Sequence, residues 1–265
     1  MIEPLHHLDD PRVADYAKVG DPVWLRDHGL FVAEGRLVVR RLIEAGRFEI
    51  ESILTTSTAL KTLGDRVDAL ECPVYVITPA ALESLTGFDF HRGCLALARR
   101  PLVDPPVDGF AAAHRLLGLE GVGNPDNVGG LFRVAAAFDA GGVLLDPQSG
   151  DPLYRKAMRT SMGAALRVPF ARAPSWPNEL VRFHDRGFQI VALTPMASAM
   201  PLPAFAAASG SDDRYILMVG AEGSGLTPTA LDAADVHVRI PIADHVDSLN
   251  VVVAAGIALA ALSRL

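Results

Sequence analysis

The sequence predicts an α/β protein built from two domains. Three observations predict it. Half of the 265 residues are apolar, enough for a sizeable core. Short apolar runs of strand character alternate with helical periodicity along the chain. A stretch with three prolines, residues 99–109 (RRPLVDPPVDG), interrupts that alternation and reads as an extended connector. The expected organisation is a small α/β domain over 1–100, a linker over 101–112, and a larger domain over 113–265. The larger domain is expected to hold a mostly parallel sheet covered by helices on both faces.

In the first domain, Arg36 to Ala45 has helical spacing and stops at Gly46. Ile50 to Thr55 is strand-like and Thr58 to Leu63 a short helix. Pro73 to Thr78 is strand-like, Pro79 to Leu85 a helix with proline in its first turn, and Cys94 to Ala98 a further strand. In the second domain the expected strands are Arg115–Leu119, Val143–Leu145, Phe188–Thr194, Tyr215–Gly220 and Val236–Ile240. The expected helices are 128–140, ended by Gly141-Gly142, then 152–161, 228–234 and 249–262. The last is apolar on nearly all sides and needs burial all round. A central place in the domain's own core and a closely packed dimer interface both satisfy it.

Composition limits function. The net charge of −7 is unusual for a protein that binds phosphates, and both domains are acidic. Yet five basic residues and no acid lie between Pro152 and Asn178 (Arg155, Lys156, Arg159, Arg167, Arg172), and Arg36, Arg40, Arg41 and Arg47 form a second cluster. Each cluster is read as a phosphate-binding patch or as a solvated face. Two distant cysteines, Cys72 and Cys94, give neither a disulfide framework nor a metal site. The N-terminus lacks a signal-peptide pattern, and the longest apolar run, Val251 to Leu262, is too short to span a bilayer. A soluble, cytoplasmic, metal-free protein is expected.

Three segments carry candidate chemistry. Residues 120–133 (EGVGNPDNVGGLFR) follow a strand and enter a helix, presenting Asn127 at the helix start and Arg133 within an apolar stretch. The third glycine of a dinucleotide loop is missing, because position 126 is Asp; this disfavours a nicotinamide enzyme. Residues 217–226 (LMVGAEGSGL) run from a buried strand into Gly220, Glu222, Gly223 and Gly225. They lack the Lys-Ser/Thr ending of a P-loop. Residues 238–250 (VRIPIADHVDSLN) end a strand at Pro241 and open the apolar helix at Ser248-Leu249-Asn250, with Asp247 or Ser248 as its expected cap.

Taken in order, the three segments resemble the motifs of SpoU/TrmH RNA methyltransferases of the SPOUT superfamily. Asn127, Gly129 and Arg133 match N-x-G-x-x-x-R. Gly220, Glu222, Gly223 and Gly225 match G-x-E-G-x-G. Ile240, Pro241, Ser248, Leu249 and Asn250 match I-P-(loop)-S-L-N. RTSMGA, residues 159–164, resembles the R-x-S-x-G element between the first two motifs. Residues 31–43 and 91–101 resemble the family's small N-terminal RNA-binding domain. The resemblance implies a deep C-terminal trefoil knot, which no pattern in the chain shows, and a homodimer with active sites at the subunit interface. It implies S-adenosylmethionine as cofactor, held by Thr194, Gly220, Ile240 and Leu249, with glycine at 220 expected to make room for the ligand.

The implied reaction is methyl transfer to a ribose 2′-hydroxyl of RNA, ribosomal RNA before transfer RNA. The catalytic residues carried over are Asn127, Arg133, Glu222, Ser248 and Asn250. A guanidinium is a poor base, so Arg133 is assigned to an adjacent phosphate and the reacting oxygen. Asn127 would orient Arg133 or the ribose, Glu222 position the guanidinium or share the proton, and Ser248 and Asn250 complete the pocket. The alternatives are a methyltransferase acting on transfer RNA and a dimer that binds RNA without catalysis.

Overall fold

A computed structural model describes residues 2–263 apart from 6, 8, 87–92, 102–106, 111 and 211. In chain order the elements are β1 (Ile2–Pro4), α1 (Pro22–Asp27), β2 (Leu30–Glu34), α2 (Arg36–Ala45), β3 (Ile50–Thr55), α3 (Ser57–Leu63), β4 (Val74–Val76), α4 (Pro79–Thr86) and β5 (Cys94–Arg99). There follow β6 (Arg115–Glu120), α5 (Pro125–Ala137), β7 (Gly142–Leu145), α6 (Arg155–Thr160), β8 (Phe170–Arg172), α7 (Leu180–His184) and β9 (Phe188–Leu193). The last are β10 (Met200–Pro201), α8 (Leu202–Ala208), β11 (Arg214–Gly220), α9 (Pro228–Asp232), β12 (Val236–Arg239) and α10 (Val251–Leu262).

The chain divides into two units. One comprises Met1–Val103 and Leu153–Arg167, the other Asp104–Pro152 and Val168–Leu265. The segment Leu153–Arg167, expected with the C-terminal domain, therefore clusters with the first unit. Its buried side chains include Ala157, Met158 and Leu166. Of the connector expected over 101–112, residues 102–106 and 111 lie outside the described residues, as do 91 and 92 of the segment 91–101.

The first unit holds a five-stranded mixed sheet in the order β1-β4-β3-β5-β2, with β5 antiparallel to both its neighbours. Tyr16, Leu54, Leu82 and Leu95 fill its core. Helix α2 ends at Gly46, whose left-handed φ of 60° suits glycine. Charged side chains from α2 and from Leu153–Arg167 meet beside it. Glu44 takes Arg40 at 3.7 Å, Arg66 at 3.1 Å and Arg167 at 2.9 Å. Arg47 donates to the Arg167 carbonyl at 3.1 Å, and Arg41 to the Met162 carbonyl. Arginines from both sequence clusters thus surround a single acid.

The second unit is the α/β domain expected, with seven strands, all parallel, in the order β10-β12-β9-β11-β6-β7-β8. Leu116, Leu144, Ile190, Ile216 and Met218 are buried in its core, as strands covered on both faces require. The final helix α10 packs on α5 at close range. A Cβ at Gly130 would lie 2.7 Å from Val252, and Gly256 faces Val134. The helix is not buried all round, however. Val253 is 49% and Ile257 40% exposed, and Ala260 and Ala261 on the same side are also exposed.

Candidate active site

In a parallel sheet, ligand sites form beyond the carboxyl ends of the strands. Here β6, β9, β11 and β12 deliver the three sequence motifs to that end. Strand β11 runs straight into a tight loop, Ala221–Gly225, closed by the Gly225 amide donating to the Ala221 carbonyl at 3.0 Å. Gly223 and Gly225 have φ of 87° and 68°, conformations that side chains resist.

Glycine at 220 has a different reason from the one expected. A Cβ there would lie 2.1 Å from the Gly225 carbonyl carbon and 2.3 Å from the Leu226 nitrogen. The loop's own backbone, not ligand clearance, demands glycine.

The helix caps also differ from expectation. Helix α5 begins at Pro125, and Asn124 caps it by accepting from the Asp126 amide at 2.9 Å. Proline's fixed φ sets the first helical position, so the start lies upstream of Asn127. Asn127 then sits in the first turn, buried. Helix α10 is capped by Asn250, not by Asp247 or Ser248. The Asn250 Oδ1 accepts from the Val252 amide at 2.9 Å and from Val253 at 3.4 Å.

The other end of the Asn250 amide joins the motifs. Its Nδ2 donates to Glu222 Oε1 at 2.8 Å and to Asn127 Oδ1 at 3.2 Å. One side chain from each motif meets at this point. Beside it lies a cavity of about 390 Å³. Thr194, Gly220, Ile240 and Leu249, the four expected cofactor contacts, line it together with Glu222, Ser248 and Asn250; apolar walls come from Leu193, Val219 and Ile242. No cationic side chain among the described residues lines it. The Ser248 hydroxyl makes no hydrogen bond among the described residues. Arg133 stands apart from this group. It is exposed on α5, does not line this cavity, and has no ion pair among the described residues.

Several structural residues were not singled out from the sequence. Glu120, the last residue of β6, is buried, and its carboxylate accepts from the Thr227 amide at 2.8 Å, Thr227 Oγ1 at 2.9 Å and Trp176 Nε1 at 3.1 Å. It ties the first motif to the end of the glycine loop. Its signal was available: a carboxylate closing an apolar strand needs partners. Arg172, counted in the basic stretch, is instead engaged by loop carbonyls, donating to Asp146 at 3.1 Å and Ser149 at 2.9 Å. Within RTSMGA, Ser161 is buried and bonded to its own turn, donating to the Met158 carbonyl at 3.0 Å.

An open parallel sheet, with a glycine loop and a polar cluster around an apolar cavity at its carboxyl edge, defines a small-molecule-binding α/β domain. Residues 114–260 match the SpoU rRNA Methylase family. The chain is 41% identical over 255 residues to an uncharacterized tRNA/rRNA methyltransferase from Mycobacterium bovis, covering 94% of this chain and 88% of that one. Among solved structures it is similar to an AdoMet-bound rRNA methyltransferase from Sinorhizobium meliloti, at 23% identity and a TM-score of 0.82 over 98% and 97% of the two chains. That likeness concerns the fold. It is also similar to an RNA 2′-O ribose methyltransferase, at 27% identity and a TM-score of 0.75 over 99% and 98%. The chain belongs to the SpoU rRNA methylase family, and is thereby an RNA methyltransferase.

Proposed function

We propose that the protein transfers a methyl group from S-adenosylmethionine to a ribose 2′-hydroxyl of RNA, with ribosomal RNA as the first candidate substrate. The observation that carries this reading is the junction at Asn250 Nδ2, where the three motifs meet beside an apolar cavity. The cavity suits this cofactor: apolar side chains can flank an adenine, exposed loop backbone can bond its polar edges, and the absence of cationic walls disfavours a dinucleotide's pyrophosphate. Thr194, Gly220, Ile240 and Leu249 would hold it. When bound, it supplies an electrophilic methyl group.

The protein's own task is to place the ribose oxygen in line and assist loss of its proton. Asn250 holds Glu222 in place, and the Glu222 carboxylate would accept a hydrogen bond from the hydroxyl. Asn127 fixes the Asn250 amide from beneath, and Ser248, whose hydroxyl makes no hydrogen bond among the described residues, completes the rim. Arg133, exposed and unpaired among the described residues, is available to an RNA phosphate and to the developing negative charge on oxygen. Its separation from the cluster in one chain, and the exposed apolar stripe of Val253 and Ile257, support a homodimer whose partner helps complete the site. The arginines gathered around Glu44 would provide the backbone-binding surface that an acidic chain otherwise lacks.

The test is Arg133→Ala. Because the residue is exposed, folding stability should stay within about 0.5 kcal/mol. Calorimetry should show cofactor affinity retained, while labelled-methyl transfer to ribosomal RNA should fall by about 100-fold or more. Full transfer in the variant would sink the assignment. Nucleoside mapping of the product identifies the methylated atom.

A further inference from the structure

Behind the Ala221–Gly225 loop lies a second cavity, of about 550 Å³, sharing only Ala221 and Gly225 with the first. Its walls include Glu120, Asp146, Gln148, Trp176, Ser224 and Thr227. No lysine, arginine or histidine among the described residues lines it, so it is unsuited to phosphate. What it offers is an indole and an excess of hydrogen-bond acceptors. An aromatic wall of this kind is the usual platform for an unstacked RNA base, and acceptors select the base edge that donates.

Asp146 is the distinctive member. It is 5% exposed. Its Oδ1 accepts from Ser149 Oγ at 2.6 Å, the Ser149 amide at 2.7 Å and the Gly121 amide at 3.0 Å. Its Oδ2 takes no hydrogen bond from the described residues. The side chain is therefore locked by one oxygen, leaving the other as a fixed acceptor on a residue that lines the cavity. By contrast, both oxygens of Glu120 are occupied by Thr227 and Trp176.

We propose that this cavity receives a nucleobase of the RNA substrate and that Asp146 Oδ2 selects one carrying an exocyclic amino group, cytosine over uracil. This rests on the RNA-methylating reading above, and it assigns the base-selecting site for that reaction. The position fits: the cavity opens at the same sheet edge as the cofactor cavity, with the glycine loop as their common wall.

The test uses the full chain with Trp24→Phe, which leaves Trp176 as the sole indole. Single-stranded oligo(C) and oligo(U) of about 10 nucleotides are titrated against it and Trp176 emission is followed. Oligo(C) should bind about tenfold tighter than oligo(U). An oligomer of N4,N4-dimethylcytidine, which has no amino donor, should lose that advantage. Asp146→Asn keeps the Oδ1 acceptor and turns the other position into a donor, so its preference should reverse toward uracil.

Equal affinity for the three oligomers, or an unchanged preference in a folded Asp146→Asn protein, overturns the proposal. Should that variant not fold, the comparison between oligo(C) and its dimethylated form decides alone. Labelled-methyl transfer to ribosomal RNA is measured in parallel. Transfer without base preference removes this site and leaves the methyltransferase reading intact; base preference without transfer does the reverse.

Discussion

The glycine loop Ala221–Gly225 is held on its two sides by different chemistry. In front, Asn250 and Glu222 meet at 2.8 Å, both exposed, one neutral amide against one carboxylate. Behind, the buried carboxylate of Glu120 takes three donors from Thr227 and Trp176. A buried charge that satisfies several donors is costly to remove, because each donor is left dry and unpaired. An exposed amide bond is readily exchanged for water. The loop is therefore anchored from the back and adjustable at the front, the side on which the proposed reaction would take place.

Three substitutions sharpen or break this contrast. The largest effect is expected from Gly220→Ala, since the new methyl would meet loop backbone at 2.1 Å and only a change of the loop's path relieves it. A stability loss of about 3 kcal/mol should appear in chemical denaturation, with calorimetric cofactor binding abolished. Glu120→Ala follows, at about 2 kcal/mol, through the unpaired Thr227 amide and Trp176 indole. Its cofactor affinity should fall as well, although the residue does not line the cofactor cavity. Asn250→Ala should cost about 1 kcal/mol, the value of a lost helix cap, while methyl transfer falls more than stability does. If Asn250→Ala destabilises as much as Glu120→Ala, the front of the loop is as rigidly held as the back and the contrast fails.

Much of the frame was legible in the chain. Strands β3, β6, β7, β9 and β11 lie within a residue of where apolar runs place them. Helix α2 stops at its glycine as expected. Strands β6, β7, β9 and β11 declare themselves because burial on both faces of a parallel sheet leaves a largely apolar run. The short edge elements did not. Strand β8 has three residues and α7 five, too few for any period to register.

Helix starts misled for a local reason. Asn124 and Asn127 are equally good caps by residue type, as are Asp247, Ser248 and Asn250, and the choice falls to backbone angles that composition does not encode. The placement of Leu153–Arg167 with the first unit depends on tertiary packing and on ion pairs to residues more than 100 positions away, such as Glu44 with Arg167. For the site, the motif residues were legible and the cavity beside Asn250 gathers eight of them, Gly220, Glu222, Gly223, Gly225, Ile240, Ser248, Leu249 and Asn250, while the tie from Glu120 to Trp176 and Thr227 escaped because its partners are remote in sequence.

Gly118 lies in the middle of β6, and a Cβ there would sit 2.9 Å from the tip of the Trp176 ring. The indole rests on a missing side chain. The depth of the cavity behind the loop is therefore set from underneath, by a core position that never meets solvent. In the base-binding role proposed for it, the cavity's shape could be retuned in a family member by adding one methyl group at this strand position, leaving every surface residue as it was. Selectivity in this fold can drift through its interior, out of sight of any survey confined to the exposed face.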